Sequence, residues 1–467
     1  MSARVALVNV SAGRSDTVSQ WPHYGLVLLA TVLRDQGFTV RVFDQAFLQE
    51  EPGDLVARVA AWEPQAIGVS LYTTHATRGL AVARSLREAV PAAPLLAGGP
   101  HASLYADQVS ATGLFAAVVR GEAEGRIAEI TTRVLAGEAP GLVDAPPTEG
   151  LAIPPADYAL ADAHERMTWM PIQLSRGCPF NCSFCEVKSI ASRKIRYRDV
   201  DACLDEIEVN LARHPRVHTL RVVDDCPTLD RPRFKEFLRR YVTRRISARV
   251  SIDNMRADSV DEELLDLLQQ CRIPHVCIAA ESGNPAVFRH VDKGEKLEDI
   301  VAAARLVRSR KLPLYMCFVI GLPGSSFDAE MDSLRFAKSL EPDLIYWNMF
   351  LPHRGTRARE WFADHGTIFE EADRFSVPAY DLTLSLPATE TAEFSREERI
   401  RAYLTCVLET VSFVMTPRAL VRAFVLARRY RLWRSFLVMV ANLPRKVAIY
   451  ARIMLGRTFE RARRRAA

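Results

Sequence analysis

Three cysteines fall within eight residues, Cys178-Pro179-Phe180-Asn181-Cys182-Ser183-Phe184-Cys185, at the spacing Cys-x3-Cys-x2-Cys. Three thiolates hold three irons of a cubic four-iron cluster and leave the fourth iron open for a ligand that is not protein. Closely spaced cysteines also make disulfides and zinc sites. A disulfide framework suits small secreted chains, whereas this one has 467 residues and 9 cysteines. Structural zinc takes four ligands, commonly from two Cys-x2-Cys or Cys/His pairs, and no second such pair is present. On the motif alone a 4Fe-4S cluster is the better reading, with zinc still open.

The length suits about three domains. Met1 to Val10 has no cleavage-site pattern. The uncharged window 312–327 is broken by Pro313, Gly321, Pro323 and Gly324, short of the roughly 20 apolar residues a spanning helix needs. A cytoplasmic protein without a transmembrane segment is expected. The net charge of +5 is uneven: residues 418–467 carry fourteen Lys or Arg against Glu460 alone, a local +13 that leaves −8 for the rest. A basic tail on a mildly acidic body predicts an anionic surface as the tail's partner, such as peripheral membrane contact, and argues against a nucleic-acid-binding protein.

Residues 1–145 alternate short apolar strands with helical stretches. Strands are expected at Val5–Val10, Thr39–Phe43, Ala66–Ser70, Pro94–Ala97 and Ala116–Arg120, and helices at Leu26–Asp35, Leu80–Ala89 and through Ile127, Ile130 and Val134. This alternation implies a doubly wound, Rossmann-like parallel sheet with its ligand beyond the carboxyl ends of the strands. Ser70 closes one of those ends, Gly98-Gly99-Pro100-His101 the next and Gly121-Glu122 the one after. The set resembles the cobalamin-binding domain, in which a serine and a Gly-Gly pair line the channel for the cofactor's nucleotide tail. The resemblance implies that Ser70, Gly98, Gly99, Pro100, His101, Gly121 and Glu122 contact cobalamin. The loop Asn9-Val10-Ser11-Ala12-Gly13-Arg14 departs from the Asp-x-His-x-x-Gly pattern that supplies a cobalt-ligating histidine in many such domains. Cobalamin with its lower base displaced and no histidine beneath the metal is expected.

Pro- and Gly-rich sequence at 146–170 reads as a linker. Beyond it, strands are expected at Ile172–Leu174, Thr219–Val223, Arg249–Ile252, His275–Ala280, Leu314–Ile320 and Leu344–Asn348, with helices such as Val200–Ala212, Val260–Gln270 and Leu297–Ser309 between them. Six strands alternating with helices predict a partial (β/α)6 TIM-type barrel over residues 171–390, whose active site collects at the strand carboxyl ends. Those ends carry the cysteine loop, Asp224-Asp225, Asp253-Asn254-Met255-Arg256, Glu281-Ser282-Gly283, Gly321-Leu322-Pro323-Gly324 and Asn348. Together with the cluster motif this order resembles the radical S-adenosylmethionine superfamily. The resemblance implies that Cys178, Cys182 and Cys185 bind the cluster beside Phe184. It also implies S-adenosylmethionine contacts from Arg256, Glu281, Gly321, Gly324 and Asn348. A guanidinium such as that of Arg256 suits the S-adenosylmethionine carboxylate because it pairs with it bidentately. Asp225 and Cys226 are candidate catalytic residues on the substrate side, while Cys277 and Cys317 read as core.

Residues 391–467 read as helical, with the first helix, Arg396 to Phe413, expected as a lid on the barrel mouth, followed by Pro417–Ala441 and Pro444–Arg465. The combined resemblance implies a cobalamin-dependent radical S-adenosylmethionine enzyme. It would methylate an unactivated carbon of a small or lipid-like substrate by way of a 5′-deoxyadenosyl radical and methylcobalamin, and draw electrons from a flavodoxin or ferredoxin. Oxidation, cyclisation or ring contraction with the same cofactors, and a non-catalytic cobalamin-binding module, are the alternatives.

Overall fold

A computed structural model describes residues 2–11, 19–151, 153–253, 255–369, 387–414 and 416–430. The chain forms two compact units. One is built on Met1–Ile252 with Pro352–Glu360, the other on Asp253–Leu351 with Trp361–Ile368 and the C-terminal region.

The first unit opens with strands β1 (Arg4–Asn9), β2 (Thr39–Asp44), β3 (Ala66–Ser70), β4 (Leu95–Gly98), β5 (Ala117–Gly121) and β6 (Gly141–Ala145). They form one parallel sheet in the order β2-β1-β3-β4-β5-β6. The strands read as near-continuous apolar runs because both faces are covered. Ala6, Val8, Val69, Leu95 and Ala97 pack with Leu55 and Val59 of the helix Pro52–Ala61 and Val82 and Leu86 of the helix Ala76–Ala89. The helices Tyr24–Asp35 and Ile127–Leu135 pack together as well. The expected doubly wound sheet is therefore present. It also includes β6 and the helix Pro52–Ala61, which the sequence pattern did not reveal.

Register matters more than strand count. Asn9 pairs with both Asp44 and Ser70, and Ser70 pairs with Gly98. Asp44, Asn9, Ser70 and Gly98 thus stand in one row across four neighbouring strand ends.

The same unit continues with β7 (Trp169–Ile172), the short strands β8 (Ser175–Arg176) and β9 (Arg196–Tyr197), then β10 (Thr219–Val222) and β11 (Arg249–Ile252). The parallel order is β11-β10-β7, while β8 and β9 pair antiparallel. The strand expected at Ile172–Leu174 lies instead at Trp169–Ile172. Its continuation is prevented because the Leu174 amide donates to the Asp224 carboxylate at 2.7 Å rather than to a ladder.

The second unit carries β12 (Val276–Glu281), β13 (Leu314–Ile320) and β14 (Leu344–Met349) as a parallel sheet in that order. Each of the two three-stranded sheets is parallel within itself, and β7, β10, β11, β12, β13 and β14 correspond to the six strands expected for the partial (β/α)6 pattern. The intervening helix expected from Val260 starts at Glu262, because Asp261 caps it by accepting from the Leu264 amide. The helix Arg396–Val414, expected as a lid on the barrel mouth, reaches the carboxyl end of β13 through Arg399 in its first turn. It packs on the Ile345–Trp347 face of β14, where Trp347 Nε1 donates to Thr410 Oγ1 at 2.8 Å. The helix Pro417–Tyr430 follows, and the remainder of the expected basic tail, 431–467, lies outside the described residues.

Candidate active site and cofactor sites

The cysteine loop leaves β8 and returns through β9, so its stem is a two-residue ribbon. Two carboxylates at the end of β10 brace it. Asp224 accepts from Leu174 N and, at 2.6 Å, from Ser175 Oγ, while burial pushes its own carboxyl up to about 7. Asp225 accepts from Gly177 N at 2.8 Å. Gly177 has φ +102°, and a Cβ there would stand 2.6 Å from the Ser192 carbonyl oxygen and 2.7 Å from that of Lys194. Only glycine fits such a crossing. Further along, Cys178 N donates to Ser192 O at 3.1 Å, and Ala358 N donates to Ser183 O at 2.9 Å.

Cys178, Cys182 and Cys185 are half-buried and free of disulfides, and Phe184 beside them is half-buried. Among the described residues no three His, Cys, Asp or Glu side chains converge on a single-ion site. A cubane takes one thiolate per iron, which Cys178, Cys182 and Cys185 can supply. Cys226, expected near the substrate, is buried with 5% exposure. Asp225, also expected to be catalytic, braces Gly177.

On the other strand ends, Asn9 Nδ2 donates to Asp44 Oδ1 at 2.9 Å, which orders the start of the row. Ser70 is buried. Gly99 has φ +92°, and a Cβ there would lie 2.9 Å from Leu71 O and 3.0 Å from Ser70 Oγ, whereas one on Gly98 would meet nothing within 4 Å. The backbone at Gly98 therefore borders open space, as a cofactor cradle requires. Pro100 starts the short helix Pro100–Leu104, and buried His101 stacks on Tyr105 with ring centroids 4.7 Å apart. Ser103, which the sequence did not single out, joins the two glycine turns. Its Oγ donates to Gly99 O and accepts from Gly121 N, both at 3.1 Å. These residues fit a cobalamin-type ligand. Glu122 is different: its carboxylate is taken up by Arg176 and Arg196.

In the second unit, Glu281 ends β12 at a bulge with φ +64°, a conformation costly for a residue with a side chain. Its carboxylate, pushed up by burial, lies 3.4 Å from Lys293 Nζ, which also pairs with Glu295 at 3.0 Å. Arg256 Nη1 donates to the Lys293 carbonyl at 2.8 Å, and Nη2 pairs with Asp258 at 2.7 Å. The structure thus brings Arg256 and Glu281 together through Lys293. Gly321 (φ +85°) and Gly324 (φ +74°) bound the turn after β13. The Gly321 amide donates to Glu330 Oε1 at 2.8 Å, and its carbonyl accepts from Arg399 Nη1 at 2.7 Å. Asn348 lies on the face of β14 opposite Trp347 and reaches the Phe318 carbonyl at 3.5 Å. Cys277 and Cys317, expected as core, have sulfurs 3.5 Å apart on neighbouring strands. Lys293, Glu295, Glu330 and Arg399 had no signal in local sequence, because their partners lie on other elements.

Comparison with known proteins accords with this geometry. Residues 11–131 match the B12 binding domain model and residues 172–337 the Radical SAM superfamily model. Together they cover more than half the chain and define its class, a B12-binding domain followed by a radical SAM domain. The chain belongs to the cobalamin-binding radical S-adenosylmethionine enzymes, whose cofactors are a 4Fe-4S cluster, S-adenosylmethionine and cobalamin. It is 24% identical over 372 residues to the anaerobic magnesium-protoporphyrin IX monomethyl ester cyclase of Rubrivivax gelatinosus, covering 74% of this chain and 67% of the cyclase. It is 23% identical over 354 residues to the bacteriochlorophyllide d C-12(1)-methyltransferase of Chlorobaculum tepidum, covering 74% of each. The fold matches the radical S-adenosylmethionine methyltransferase TsrM from Kitasatospora setae, solved with cobalamin and a [4Fe-4S] cluster bound, at TM-score 0.67 and 17% identity over 90% of both chains. No single helix among the described residues is long and apolar enough to cross a membrane.

Proposed function

We propose that this enzyme methylates an unactivated carbon of a small metabolite or lipid-like substrate. When bound, the cofactors supply a one-electron cleavage of S-adenosylmethionine and a transferable methyl group. Cys178, Cys182 and Cys185 hold the cluster, and Asp225 keeps their loop in place through Gly177. Ser70, Gly98, Gly99, Pro100 and His101 form the cobalamin cradle. Lys293 and Glu281, backed by Arg256, orient S-adenosylmethionine together with the turn from Gly321 to Gly324 and Asn348. The reducing partner is a flavodoxin- or ferredoxin-type protein, and the basic tail contacts an anionic surface. Domain limits near residues 145, 170 and 390 accompany this reading.

The observation that carries the proposal is that the cysteine loop and the open glycine cradle belong to one compact unit. A donor of radicals and a donor of methyl groups are the two parts such a transfer needs. The absence of histidine from Asn9 to Arg14 further supports cobalamin held without a histidine beneath the metal. Likeness to the magnesium-protoporphyrin cyclase favours a second reading, in which the same cofactors oxidise or cyclise the substrate. Turnover with methyl-deuterated S-adenosylmethionine decides between them. Label in the product supports methylation, and product without label rules it out.

A further inference from the structure

Arg176 and Arg196 face each other directly across the β8–β9 ribbon at the base of the cysteine loop. Two like charges directly opposite on paired strands destabilise the pairing. The counter-charge comes from the end of β5, 54 and 74 positions away in sequence. Glu122 Oε2 accepts from Arg176 Nη1 at 3.2 Å and from Arg196 Nη1 at 2.9 Å, and Oε1 pairs with Arg196 Nη2. Glu124 adds a second pair to Arg176 at 2.7 Å. The side chains are largely shielded from solvent, with 10% exposure for Glu122, 14% for Arg176 and 3% for Arg196. Glu122 follows Gly121, whose φ of +104° and bond to Ser103 Oγ set its direction from the same turns that form the glycine cradle.

We infer that Glu122 is a positioning residue that clamps the stem of the cysteine loop to the cobalamin-binding domain, and so fixes the cluster relative to cobalt, rather than a contact of cobalamin. The inference holds whichever reaction the substrate undergoes. It requires only that both cofactors bind. A carboxylate bridging two shielded arginines gives a fixed spacing, because charge-assisted bonds from two guanidiniums leave it little freedom. Removing the charge leaves Arg176 and Arg196 facing each other with Glu124 paired to Arg176 and Asp225 as a further neighbouring carboxylate.

The test uses the full chain, reconstituted anaerobically with iron, sulfide and hydroxocobalamin and then reduced with dithionite. The readout is the microwave power that half-saturates the cob(II)alamin electron paramagnetic resonance signal, which reports the proximity of the reduced cluster. Glu122→Gln is expected to keep cobalamin and to change that power at least twofold, and Glu122→Asp to recover part of the difference. Loss of the cluster from a folded variant that still holds cobalamin also supports a clamp. Unaltered coupling with both cofactors bound overturns the inference, as does loss of cobalamin with the cluster retained, which would make Glu122 a cofactor contact. Should Glu122→Gln not fold, Arg196→Lys is decisive. It keeps the charge but loses the two-point grip, and unchanged coupling in that variant overturns the inference equally.

Discussion

Arg399 and Gly321 are joined by a hydrogen bond of 2.7 Å from Nη1 to the glycine carbonyl, linking the helix Arg396–Val414 to the turn that closes β13. On the other side of the same residue, Glu330 accepts from the Gly321 amide. One turn is thus held by two buried ionisable side chains, with Arg399 1% and Glu330 2% exposed. The helix Arg396–Val414 belongs structurally to the S-adenosylmethionine side of the proposed site.

Arg399→Ala leaves the Gly321 carbonyl without this donor and Glu330 without its nearby cation. Leaving a buried acceptor without its donor costs about 1–3 kcal/mol. Chemical denaturation is expected to show a loss of that order. Where the variant remains folded, calorimetric titration is expected to show S-adenosylmethionine binding weakened tenfold or more. Arg399→Lys should lose less on both measures.

Burial pushes the Glu330 carboxyl up to about 7, whereas an unfolded glutamate titrates near about 4.3. Across that interval the folded chain holds a proton that the unfolded chain releases. Its contribution to stability therefore falls as pH rises from about 4.3 to about 7 and levels off above. Glu330→Gln keeps the acceptor for Gly321 N and removes the titration. The difference in denaturation midpoint between Glu330→Gln and wild type should grow in favour of the variant from pH 5.5 to 7.5. A constant difference would contradict the assignment.

The glycine pair after β4 separates backbone strain from ligand space. Gly99→Ala places a Cβ against Leu71 and Ser70 at positive φ, a strain of about 1–3 kcal/mol, and should lower both stability and cobalamin content. Gly98→Ala meets no protein atom. It should leave the melting temperature within about 2 °C of wild type, a surface-like change of about 0.5 kcal/mol or less, yet reduce cobalamin retained per chain severalfold. Full retention by Gly98→Ala would remove the cradle from that position.

Much of this arrangement was legible in sequence because it rests on local signals. Apolar runs ending in Ser70 or Gly98-Gly99 mark strand ends, and the cysteine spacing marks its loop. What could not be read is what depends on distant partners. Glu122 looked like a cofactor contact because it follows a strand-end glycine, but its arginines stand on a ribbon far along the chain. Leu174 reads as strand by its apolar character, yet a carboxylate at the end of β10 captures its amide. The helix at Arg396 was placed correctly, while its packing on β14 depended on Trp347 and Thr410, which no periodicity connects. Arg256 reads as a receptor for the S-adenosylmethionine carboxylate, and its bond to the Lys293 carbonyl, 37 positions on, has no local signal.

The central claim is that Cys178, Cys182 and Cys185 carry a cluster that cleaves S-adenosylmethionine. It is tested by measuring 5′-deoxyadenosine released when the anaerobically reconstituted chain is mixed with S-adenosylmethionine and a strong reductant. Wild type should release it, and Cys182→Ala should fall to the background of the protein-free mixture while keeping its cobalamin. No release from wild type with cluster and cobalamin both bound, or release undiminished in Cys182→Ala, would contradict the account.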